Sequence, residues 1–272
     1  MKSISLNLLV VIYFILLRPY SSHSQGFENK KIQAGITTSF GFNFAKMGTS
    51  RLENNGVGTN FSFGLLMHKS FQNSKNIGFS SGLEFDFNSI NFQSSPSSYS
   101  IFYNYFDREI LPSMPLTNSS KDIFLLKSRK HKITQITIPI ALLFRTDANG
   151  HFRYYTKFGI KNSFLLSNKM TDLGTAIISG DTINFKENIN MTSKNEMFFY
   201  QAYLGLSLGA EWNFMGSTSI VAEMSYYYGL TPLFLNRKED KQTLYINVNG
   251  EISPFSNKAT QNQLALKLAV LF

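Results

Sequence analysis

Lys31-Ile32-Gln33-Ala34-Gly35-Ile36-Thr37-Thr38-Ser39-Phe40-Gly41-Phe42-Asn43-Phe44 alternates two kinds of residue. Even positions carry Ile32, Ala34, Ile36, Thr38, Phe40, Phe42 and Phe44, and odd positions carry Lys31, Gln33, Gly35, Thr37, Ser39, Gly41 and Asn43. Side chains of a strand point alternately to its two faces. This period of two is therefore a strand with one apolar face and one polar or small face.

Seven later stretches repeat the pattern. Phe61, Phe63, Leu65 and Met67 oppose Asn60, Ser62, Gly64 and His68, and Ile77, Phe79, Leu83, Phe85 and Phe87 oppose Ser80, Glu84, Asp86 and Asn88. Ile136, Ile138, Ile140, Leu142 and Phe144 face away from Gln135, Thr137 and Arg145. Phe152, Tyr154, Phe158, Ile160 and Phe164 face away from Arg153, Lys157, Lys161 and Ser163. Leu204, Leu206, Leu208, Trp212 and Phe214 oppose Gln201, Gly205, Ser207, Gly209 and Glu211. Ile220, Ala222, Met224, Tyr226 and Tyr228 oppose Glu223, Ser225 and Tyr227, and the final stretch sets Leu264, Leu266, Leu268, Val270 and Phe272 against Gln263, Ala265 and Lys267.

The connections alternate in length. Gln72-Asn73-Ser74-Lys75, Asp147-Ala148-Asn149-Gly150 and Met215-Gly216-Ser217 are short, and the intervening connections are several times longer. Short links fall on one side and long ones on the other. That is the plan of an all-β, eight-stranded antiparallel up-and-down transmembrane barrel with short periplasmic turns and long extracellular loops. A soluble barrel would turn its apolar face inward and its charges outward. Here the polar face is rich in Gly, Ser, Asn and Thr, which suits a crowded lumen. The apolar face carries no charge, each of which would cost about 2–4 kcal/mol at mid-depth in lipid.

Composition agrees. The 272 residues are 43% hydrophobic and 15% aromatic but only 16% charged, with 26 Phe and 13 Tyr. Such a chain is too aromatic to be disordered and lacks the repeated long apolar runs of a helical membrane protein. Cysteine is absent, which excludes disulfides, thiol catalysis and cysteine metal sites. Lys2, the apolar stretch Leu6–Leu17 and the small residues Ser22 and Ser24 read as a signal peptide over residues 1–24, cleaved near Ser24 before Gln25. Residues 25–272 then form the barrel domain. Export makes nucleic acid an unexpected partner despite the net charge of +9.

Several stretches taken together resemble a known family. They are Gln135-Ile136-Thr137-Ile138-Pro139-Ile140-Ala141-Leu142-Leu143-Phe144, Gly209-Ala210-Glu211-Trp212-Asn213-Phe214, Glu223-Met224-Ser225-Tyr226-Tyr227-Tyr228-Gly229-Leu230 and the closing Asn262–Phe272. With the signal peptide, they are similar to the PorT-type outer-membrane β-barrels of the Bacteroidota. The resemblance implies outer-membrane location and a role in an envelope complex, including type 9 secretion or gliding. It also implies that the terminal Phe272 is an assembly signal. The family usually carries Glu where this chain has Thr137, so no role passes to that position. Asp181-Thr182-Ile183 resembles the tripeptide that is O-glycosylated in envelope proteins of that group, and chance also produces it.

An eight-stranded barrel has a lumen that side chains fill. The inward set contains Glu84, Asp86, Glu211 and Glu223 against Arg153, Lys157, Lys161 and Lys267, a balance expected of paired buried ions. Arg153, Glu211, Glu223 and Lys267 lie on consecutive strands near the short-turn end, where a contiguous cluster is expected. An ion path or acid–base pair is the alternative to a plug.

No phosphate-binding or zinc-protease motif is present, and no catalytic residue, cofactor or metal is expected. An enzymatic barrel, lipid-modifying or proteolytic, would need a surface site such as His131 with Asp122 or Asp107; a solvated histidine is the expectation instead. Residues 92–131 are unusually apolar for a free loop, with Tyr99, Phe102, Tyr103, Tyr105, Phe106 and Phe124. They either fold over the barrel mouth or form a docking surface for another envelope protein. Lys127-Ser128-Arg129-Lys130-His131-Lys132 is a basic run at the level of outer-membrane lipid and lipopolysaccharide phosphates, where solvation or counter-ion pairing is expected rather than polyanion binding.

Overall fold

A computed structural model describes residues 31–72, 74–95, 100–112, 122–178, 181–193, 196–215, 218–235, 242–248 and 250–272. The signal-peptide segment and Tyr99 lie outside them. Among the described residues there are fourteen strands: β1 (Ile32–Met47), β2 (Leu52–Asn54), β3 (Gly58–Ser70), β4 (Ile77–Ser94), β5 (Ser100–Phe106), β6 (Glu109–Leu111), β7 (Asp122–Arg145), β8 (Phe152–Ile178), β9 (Asp181–Met191), β10 (Tyr200–Met215), β11 (Thr218–Gly229), β12 (Tyr245–Val248), β13 (Glu251–Pro254) and β14 (Ala259–Leu271).

Eight of them close a ring. β1, β3, β4, β7, β8, β10, β11 and β14 pair antiparallel in sequence order, and β14 returns to β1 over Gly35↔Leu271 to Met47↔Ala259. These are the eight alternating stretches of the sequence. Their outward residues form an apolar belt, exemplified by Ile36, Leu65, Leu208 and Leu266, all more than half exposed. In a barrel facing lipid, that exposure is the required state. Phe152 stacks on Trp212, which meets Phe214 edge-on, at the short-turn rim where an aromatic girdle belongs.

The ring strands differ in length. β7 has 24 residues and β8 has 27, whereas about 9–11 tilted residues cross a membrane. Their upper halves therefore stand outside it, and strands from the long loops add to the same sheet there. β5 pairs with β7, β12 with β5, β13 with β12, β9 with β8 and β2 with β4. The hairpins expected around Asp181 and Gly250 are present as β8–β9 and β12–β13. This lobe has its own apolar core, including Phe92, Ile101, Tyr103, Phe124, Met170, Met191, Phe234 and Ile246. It sits over the mouth of the ring.

Candidate functional site

The lumen begins at the short-turn end with arginine. The Arg153 Nη2 donates to Glu211 Oε2 at 2.6 Å, and Gln33 Nε2 donates to Glu211 Oε1 at 2.8 Å. Arg145, not counted among the sequence candidates, donates from Nη2 to Gln33 Oε1 at 2.8 Å and to His68 Nδ1 at 3.0 Å, and its Nε stands 4.0 Å from Glu211. One step up, Lys157 pairs with Glu223, which also accepts from the Tyr155 hydroxyl at 2.7 Å and Ser225 Oγ at 2.8 Å. Lys267 meets Glu84 at 2.5 Å and Lys161 meets Asp86 at 2.6 Å. Thr137 donates to Asp86 at 3.0 Å.

All eight sequence candidates thus point inward, in four pairs. Arg153 and Glu211 are the direct cross-strand partners that strand order suggests, but the other three pairs are not. Glu223 and Lys267 are directly opposite on β11 and β14, yet Glu223 turns to Lys157 and Lys267 reaches across the lumen to Glu84. Interior glycines make this packing feasible. A Cβ at Gly209 would lie 2.3 Å from the Tyr155 ring, and one at Gly205 would lie 2.8 Å from Tyr227. The small residues of the polar face leave room for large neighbours. Above the ions, Asn43, Asn60, Asn88, Gln135 and Gln201 form a neutral amide layer linked by hydrogen bonds.

Higher still, outside the membrane-spanning part, the sequence reading needs correction. Tyr103 and Phe124 are fully buried, and Phe102 and Tyr105 nearly so. Of the proposed docking aromatics that are described, only Phe106 is exposed, at 72%. Tyr103, Tyr105 and Phe124 pack into the lobe core because water, not lipid, surrounds the lobe, and Phe102 is covered on the other face of β5 beside Tyr245. The basic run is also divided. Arg129 donates two 2.7 Å bonds to Asp172 and one of 2.9 Å to Glu196, and Asp172 accepts a 2.7 Å bond from Tyr103. Burial opposes the Arg129 charge, but Asp172 and Glu196 outweigh it and raise its pKa. Burial, then Asp172, pushes the Tyr103 hydroxyl well above its ordinary value.

His131 is not solvated. It is completely buried, its Nδ1 lies 2.9 Å from Asn168 Oδ1, and Phe92 and Phe234 pack on its ring. Burial lowers its pKa, against the influence of Glu196. Neither Asp107 nor Asp122 bonds to it. The pairing of Arg129 with Asp172 was hidden because the β7–β8 register slips between Thr134 and Gln135, where β8 carries the extra residue Leu166, so the inward phase of β8 changes from odd to even before Asp172. Arg129 and Asp172 are direct partners once that bulge is known.

Comparison with known proteins adds the family. A family profile described as outer membrane protein beta-barrel domain matches residues 21–235. No curated protein matches. Among solved structures, the fold is similar to Neisserial surface protein A, at 9% identity over 89% of this chain and 98% of that one, with a TM-score of 0.35. It is also similar to OprG from Pseudomonas aeruginosa (11% identity, 88% and 93% covered, TM-score 0.41) and to the outer membrane protease OmpT from Escherichia coli (8%, 94% and 99%, 0.44). At such identities the likeness concerns the fold alone.

Proposed function

This chain belongs to the outer membrane protein beta-barrel domain family, and from that premise we propose that it is a closed, non-enzymatic barrel serving as a structural or interaction component of an envelope complex. We take it to be of the PorT type, linked to type 9 secretion or gliding in the Bacteroidota, with residues 1–24 removed as a signal peptide. Its location is the outer membrane.

The observation that carries this reading is the double closure of the lumen. Four buried ion pairs occupy the ring, and the apolar core of the lobe covers its mouth. Such a barrel serves as a body to which other proteins attach rather than as a conduit. The burial of His131 against Phe92 and Phe234 supports a structural role for that residue over one as a surface base.

Two measurements test the proposal. In planar bilayers the purified protein is expected to pass no steady current, and large sustained currents would overturn the plug. Extraction in mild detergent is expected to recover it in an assembly with other envelope proteins. A lone monomer, under conditions that keep other envelope complexes intact, would overturn the interaction role.

A further inference from the structure

Strand alternation splits the basic run of β7 into two functions. Arg129 and His131 go inward, while Lys127, Lys130 and Lys132 stay exposed on the outer face. On β8, Lys169 is exposed as well, and it stands directly opposite Lys132. Like charges facing each other across a strand pair destabilise it. The flanking β4 partners, Ser89 opposite Lys132 and Asn91 opposite Lys130, bring no carboxylate. Among the described residues no ion pair engages any of these four lysines.

Their height gives the second constraint. The last outward apolar pair below them is Ile136↔Phe164, with Leu166 exposed beside it. Lys132 is four residues further along β7. At roughly 3.3 Å per residue and a tilt of roughly 45°, that puts the ammonium groups about 9 Å above the hydrocarbon edge. This is the headgroup layer, where outer-leaflet lipid carries its anions.

We propose that Lys132 and Lys169, flanked by Lys130 and Lys127, hold the phosphate groups of an outer-leaflet glycolipid. The lipid supplies the counter-charge that the protein lacks, and Leu166 and Phe164 below meet its acyl chains. Phosphate placed between the opposed ammonium groups converts a repulsive cross-strand pair into a bridged one. The site lies on the lipid-facing wall of the β7–β8 hairpin.

The test is native mass spectrometry of the full chain in mild detergent, titrated with purified phosphorylated lipopolysaccharide. Each lysine near a charged surface contributes about fivefold in binding, so K132Q/K169Q is expected to lower glycolipid occupancy about twenty-five-fold. Lys75→Gln, in an exposed turn on the opposite side of the membrane, is expected to leave it unchanged. Lys169→Glu gives Lys132 a cross-strand partner, and should lower occupancy without lowering the melting temperature. Unchanged occupancy in K132Q/K169Q would overturn the site, as would an equal loss in Lys75→Gln. Competition by inorganic phosphate as effective as the glycolipid itself would overturn the lipid as its source.

Discussion

The lumen and the lobe share two strands and obey opposite rules. Below Lys132, β7 and β8 turn Ile136, Ile138, Phe158 and Ile160 outward and Thr137, Lys157 and Lys161 inward. Above it, the same strands turn Lys130 outward and Phe124, Leu126 and Ala176 inward. The alternation continues while the outside solvent changes, and the chemistry of the interior follows from what the exterior must be. Lipid claims most of the large apolar residues, so the lumen is filled mainly by small residues, amides, tyrosines and paired ions, beside a small apolar cluster around Leu66 and Leu143. Water leaves the large apolar residues free, so the lobe builds an ordinary core around the buried Arg129.

That contrast can be broken most sharply at Arg129. Replacing it with Met leaves Asp172 and Glu196 buried without their cation, a loss of about 3–5 kcal/mol. The lobe should become sensitive to limited proteolysis while the ring keeps its heat-modifiable migration in detergent gels. Simultaneous loss of both would show one cooperative unit and remove the distinction. Phe124→Ala, in the centre of the lobe core, should cost about 3 kcal/mol, read as a lower melting temperature of the lobe by near-ultraviolet circular dichroism.

Acid should act on the lobe through His131. Burial lowers its pKa in the folded lobe below the ordinary 6.5. As pH falls through that value, the unfolded lobe takes up the proton first. The stability this residue allows is complete above 6.5 and declines below it, towards the folded value. Proteolysis of the lobe should therefore quicken as pH falls below about 6.5, and His131→Gln should flatten that dependence. The smallest effect is expected in the lumen. Replacing Glu84 and Lys267 together by Leu and Met removes a buried pair without orphaning either member, and the net change should lie within about 1 kcal/mol. Urea titration of the refolded barrel in lipid vesicles would measure it.

The ring was legible because lipid enforces a strict contrast between faces. Phe40, Phe61, Leu206 and Leu266 each announce a strand, and the inward Glu84, Asp86, Glu211 and Glu223 could be named by parity alone. Which cation Glu84, Asp86 and Glu223 would meet could not, because Lys267 reaches Glu84 across two intervening strands and parity says nothing about reach. The lobe was less legible still. Its apolar face is inward, so Tyr103 and Phe124 carry the same pattern as a lipid-facing or docking strand. Two register slips in the β7–β8 pairing then shift the parity, one on β7 between Ser128 and Leu126 and one on β8 between Leu165 and Ser167. Asp172 and Glu196 sit far from Arg129 in sequence, and nothing local marks them as its partners.

The seam between β1 and β14 sets the order in which this protein comes into being. Residues 259–271 complete hydrogen bonds that β1 has been missing since it emerged, and at Gly35 the two backbones approach so closely that a Cβ would lie 1.8 Å from the Val270 carbonyl oxygen. A ring has no partial version in lipid, since each unmatched edge would leave a row of amides in hydrocarbon. The first strand must therefore wait, shielded, until the last one arrives. Closure is the final event of biogenesis rather than the sum of earlier ones.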